Sequence, residues 1–111
     1  MLTGDGMLKI KEKIKEWIEE EKNAIIQQQI LYGSVNKEFF QYYIKQYTLI
    51  LKYFEQGRFQ RDFDDEPVDI ELLECGSEND GCPVVSVKTK SGKTIVLEFC
   101  DGIPKQLPED W

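Results

Sequence analysis

The chain has 111 residues, 41% of them hydrophobic and 32% charged, with a formal net charge of -7. That length suits one domain around one core, and the apolar content is too high for a disordered chain. The acidic balance argues against direct binding to nucleic acid or an anionic membrane, since both need a basic surface, and no apolar run is long enough to span a bilayer.

Residues 1–6, MLTGDG, add nothing to the pattern that follows and are expected to be flexible. From there Ile10, Ile14, Trp17, Ile18, Glu21, Ile25 and Tyr32 fall largely on one face of a 3.6-residue period, which predicts a helix over 7–32. Asp5 is a candidate cap at its start, and Gly33 suits a left-handed stop. Ser34 or Asn36 can cap a second helix over 35–56, with Glu38 in its first turn. Its stripe is Val35, Phe39, Tyr43, Tyr47, Ile50 and Phe54, widened by Phe40, Tyr42, Leu49, Leu51 and Tyr53. The short link between the two predicts an antiparallel helical hairpin.

Residues 58–67, RFQRDFDDEP, read as an acidic connector that Pro67 keeps from continuing as helix. Beyond it the period changes to 2, and strands are predicted over 68–75, 82–89 and 93–100. A three-residue turn at 90–92 brings Val87 opposite Ile95 and Val85 opposite Leu97, and puts Gly92 where a left-handed residue is wanted. A two-residue turn would set Val85 against Glu98, so burial selects the longer loop. The same test pairs Leu72 with Val85 and Ile70 with Val87. The expected fold is α+β, a two-layer domain with an N-terminal antiparallel helical hairpin on a C-terminal three-stranded antiparallel meander, in the order ααβββ. Residues 101–111, DGIPKQLPEDW, contain two prolines and are expected to run as a surface tail.

These registers place Cys82 opposite both Cys75 and Cys100, so the three cysteines form one row across the sheet. Opposed Cβ atoms in a sheet lie roughly 4.5–5.5 Å apart, which allows one disulfide, with Cys75–Cys82 the first candidate. Three thiolates could also hold a soft metal, with Asp80 or Asp101 completing the shell. The chain has no histidine and no fourth cysteine, and its Cys-x6-Cys spacing is not that of a short metal knuckle. The favoured reading is free thiols acting as small hydrophobes. The N-terminus lacks the apolar core of a secretory leader, which leads to the expectation of a cytoplasmic protein with reduced cysteines.

Without histidine, acid–base chemistry near neutral pH would fall to carboxylates. Asp62, Asp64, Asp65 and Glu66 crowd the connector but show no calcium-loop pattern, and no glycine-rich phosphate loop occurs. No catalytic residue, metal or cofactor is therefore expected. All five tyrosines of the chain cluster in or just before the second helix, and one helix cannot hide every side of itself. Tyr42 and Tyr53 are candidates for exposed contact residues. The sheet face away from the helices carries Leu73, Val84 and Val96 beside Asp69, Glu71 and Glu98, an apolar centre with an acidic rim. These eight residues form the candidate protein-binding surface. The sequence thus points to a small protein–protein interaction module such as an inhibitor, an immunity-type protein or an accessory subunit. The alternatives are a carboxylate- or cysteine-dependent metal-binding domain or enzyme, and an inhibitor that mimics nucleic acid. Self-association through the second helix or the outer sheet face is a competing use of the same surface.

Overall fold

Two long helices, a short third and four strands follow one another in the computed structural model, which describes residues 3–34, 37–74 and 81–108. Helix α1 spans Thr3–Tyr32, α2 Lys37–Glu55 and α3 Arg58–Phe63. The strands are β1 Pro67–Glu74, β2 Val84–Thr89, β3 Thr94–Cys100 and β4 Ile103–Leu107. They form one antiparallel sheet in the order β1-β2-β3-β4.

The sheet therefore has four strands, and the three-stranded expectation is corrected. Residues taken for a surface tail supply β4, which pairs along β3 from Cys100↔Ile103 to Val96↔Leu107. Asp101 and Gly102 make the turn with φ of 52° and 82°. Two successive positive φ values are the hallmark of the tightest hairpin turns, where Asp-Gly is a favoured pair. Pro104 stands in β4, as sheet prolines do on edge strands.

Helix α1 already includes residues 3–6, so Asp5 lies within the helix rather than capping it. Val35 and Asn36 lie outside the described residues. Part of the expected connector is helical: α3 is bounded by left-handed residues at Gly57 and Asp64, and its Phe59 is fully buried beside Phe54.

Between β2 and β3 the pairs are Val85↔Leu97 and Val87↔Ile95, as burial of one face demands. The loop closes with the Thr89 N–H donating to the Lys93 carbonyl and the Gly92 N–H to that of Thr89, with φ of 93° at Gly92. Ile70↔Val87 and Leu72↔Val85 also pair as expected, but the register slips between Leu72 and Glu74. The core lies between this sheet face and the helices, and includes Ile10 and Ile14, Tyr47, Ile50 and Phe54, and Ile70, Val85, Leu97 and Phe99.

Thirty helical residues span about 45 Å, close to the longest dimension of the molecule, 48 Å. The longest strand has eight residues, about 27 Å at full rise. The hairpin therefore outruns the sheet on which it packs. Among the described residues no helix is long and apolar enough to cross a membrane.

Candidate interaction surface

The outer sheet face is not the open apolar centre expected of it. Val84 is 0% exposed and Val96 is also buried, so neither can meet a partner. Tyr53 is equally buried; its ring packs edge-on against Phe99, its hydroxyl donates to Asp62 Oδ2 at 2.9 Å, and Arg58 lies over it. Burial first, then the Asp62 hydrogen bond, pushes its pKa well above the ordinary tyrosine range. Glu71, Leu73 and Tyr42 are exposed and Glu98 is half-buried, but with Val84 and Val96 sealed no continuous apolar patch links them.

Asp69 is claimed from within. Lys13 Nζ donates to Asp69 Oδ1 at 2.7 Å and to the Ile70 carbonyl at 3.2 Å, Lys9 pairs with Oδ2, and the Ile70 N–H donates to Oδ1. Partial burial raises the carboxyl's pKa, but these hydrogen bonds outweigh it and hold it below its ordinary value. Both outward-pointing backbone groups of Ile70 are occupied, so this side-chain cluster blocks the free edge of β1.

Cys82 and Cys100 are joined in a disulfide across the β2–β3 pair, with Cα atoms 5.1 Å apart. Their opposition follows from the hairpin register, but the favoured free thiols are corrected for this pair. Cys75, and with it the Cys75–Cys82 pairing, lies outside the described residues. The disulfide also weakens the expectation of a reducing, cytoplasmic setting, because such bonds persist mainly where conditions are oxidising.

Each connector carboxylate has its own task. Asp62 accepts from Tyr53, and Glu66 lies 3.9 Å from Lys90. Asp65 accepts from the Ser91 hydroxyl and the Glu66 N–H; the Ser91 bond leads the effects that hold its pKa down. Asp64 closes α3. Among the described residues no three potential metal ligands converge.

The unexpected feature is the far end of the hairpin. Between Ile14 and Tyr43 no described residue is buried, although α1 runs unbroken to Tyr32 and α2 begins at Lys37. Ile30, Leu31 and Tyr32 are 71%, 66% and 70% exposed, with Ile26 and Phe39 more than half exposed. The half-buried positions on this part of α1 are Glu21, Ala24, Ile25 and Gln28, spaced along one helical face. Two of the four are polar. Burial, with the charge of Glu20 added, raises the Glu21 pKa. The inward face is thus mixed, and several large apolar side chains point outward, so this part of α1 lacks the clean division of an ordinary amphipathic helix. Ile25, Ile26, Gln29, Ile30 and Lys37 line an open groove of about 290 Å³ here.

The helical stripe through Tyr32 and Phe39 is thus buried only from the sheet side. A sequence signal marks the end that is left over: residues 23–36, NAIIQQQILYGSVN, carry no charge in a chain that is one-third charged. Comparison with known proteins finds no matching family model, no similar curated protein and no similar solved structure.

Proposed function

We propose that this chain is a protein–protein interaction module that docks through the far end of its helical hairpin, as an inhibitor, immunity-type protein or accessory subunit would. The observation that supports this reading most strongly is the exposure of Ile26, Ile30, Leu31, Tyr32 and Phe39 at an end of the hairpin where no described residue is buried. Helices in proteins draw most of their stability from packing an apolar face. Exposed apolar surface of this kind, with Ile25, Ile26 and Ile30 lining one groove beside Lys37, is a usual mark of an interaction site. The surface differs from the acidic sheet face that sequence patterning favours, where Val84 and Val96 are sealed and Asp69 is engaged.

The test is affinity capture from native lysate with the full chain and with an Ile30→Gln, Leu31→Gln variant. Both substitutions keep good helix formers in place. Proteins captured by the parent and lost by a variant of unchanged helical content would support the reading. Retention of every captured protein by the variant would contradict it.

A further inference from the structure

We propose that the groove between α1 and the free edge of β1 binds an extended, lysine- or arginine-bearing segment of another protein. The site is separate from the exposed apolar end of the hairpin and does not rest on it.

The groove holds about 350 Å³, near the lower end of the roughly 300–1,000 Å³ typical of ligand clefts. Glu16, Trp17 and Glu20 line it from α1, and Ile70, Glu71 and Leu72 from β1. Its floor is apolar. Ile70 is buried, Trp17 and Leu72 are half-buried against the core, and the Trp17 ring is set edge-on against Tyr47. Its walls are acidic. Glu16, Glu20 and Glu71 are exposed, and none of the ion pairs among the described residues involves them. The one lysine in the groove, Lys13, donates to Asp69 Oδ1 and the Ile70 carbonyl. Its charge is answered by Asp69, and the three glutamates are left without a counter-charge.

The backbone supplies a further feature. Ile70 and Leu72 pair with Val87 and Val85 in one regular stretch of the ladder. Alternate residues of an antiparallel strand turn both N–H and C=O to the same side, so Leu72 faces the free edge as Ile70 does. Asp69 and Lys13 occupy the groups of Ile70, but no described side chain takes those of Leu72. The edge is blocked at Ile70 and open at its next outward residue, beside Glu71.

These features select one kind of occupant. An extended chain adds to a strand edge through backbone hydrogen bonds, and its alternate side chains fill flanking pockets. A lysine or arginine lays its aliphatic stem on Trp17 and Leu72 while its charged head reaches a groove glutamate, and a cation over an indole ring is attracted further. An acidic segment, a nucleic acid or a second copy of a chain of net charge -7 meets repulsion here.

The probe is a labelled peptide of alternating lysine and valine, titrated with the full chain by fluorescence anisotropy at low and moderate salt, beside an alternating glutamate–valine peptide. Glu16→Gln with Glu20→Gln removes two groove charges and keeps good helix formers in place. Glu38→Gln with Glu55→Gln removes the same net charge from exposed positions outside the groove. The expected result is saturable binding of the lysine peptide alone, weakened by salt, with a dissociation constant raised about fivefold or more by the groove pair and about twofold or less by the control pair. In nuclear magnetic resonance spectra the shifts on binding should centre on the Leu72 amide and the Trp17 indole N–H. Equal weakening by both pairs overturns the proposal, because net charge alone then accounts for binding. Shifts centred on residues 26–32 overturn it too, as does equal binding of the glutamate peptide or no saturable binding of the lysine peptide.

Discussion

Gln46 is fully buried in the middle of α2, and its amide fixes the β3–β4 turn from both sides. Its Nε2 donates to Asp101 Oδ1 at 2.9 Å, and its Oε1 accepts from the Asp101 N–H at 3.0 Å. A buried amide with both ends satisfied costs little, and removing it forfeits both bonds to Asp101 and leaves a gap in the core. Gln46→Ala is expected to lower unfolding stability by about 2 kcal/mol, measured by urea denaturation. Asp69 makes a pH-dependent contribution. Its folded-state pKa is depressed by Lys13, the Ile70 N–H and Lys9 acting against burial. The stabilisation is therefore full above the unfolded-state value of about 3.9 and fades as pH falls through the lower folded-state value. Asp69→Asn should flatten the fall of melting temperature with acidification below about pH 4; an unchanged acid limb would show that the Lys13–Asp69 contact carries no such linkage. Glu21 works in the opposite sense, since a raised folded-state pKa removes stability as pH climbs through it.

At the scale of elements, β4 and the Cys82–Cys100 bond hold the far side of the sheet together. The disulfide joins residues 18 apart in sequence, and closing a loop of that order stabilises a fold by roughly 3 kcal/mol in the chain-entropy description. Cys82→Ser with Cys100→Ser should lower stability by about that amount, and reductant should lower the parent's melting temperature while leaving the double variant unmoved. The β2–β3 register is legible in the sequence because Val85, Val87, Ile95 and Leu97 reach one face in only one of the two turn alignments. That register alone also places Cys82 opposite Cys100. Strand β4 is obscured by Pro104 and Pro108, which discourage a strand assignment. The signal that reveals it is local: Asp101-Gly102, a pair suited to two left-handed residues in succession. The short helix α3 is hidden by the acidic run that follows it, while its burial depends on Phe59 meeting Phe54. Slippage of β1 after Leu72 has no signature in a pattern of alternating side chains.

On the whole molecule, periodicity identifies which residues can share a face but not how far the opposing layer extends. Ile14 and Ile30 belong to the same helix, yet one is fully buried and the other is 71% exposed. The difference is length: α1 has 30 residues and the sheet is too short to cover them. For the same reason Tyr53, over the sheet, is core, whereas Tyr32 and Phe39, beyond it, are surface. An absence of charge over 23–36 marks the boundary more clearly than hydrophobicity does. Hydrogen exchange of the α1 amides across 23–32, compared with those of β2 and β3, tests the role of this end most directly. An end with no buried residue among those described should open readily in the isolated chain, while β2 and β3 stay protected. Amides across 23–32 as slow as those of the sheet would contradict the account, because the hairpin end would then need no partner.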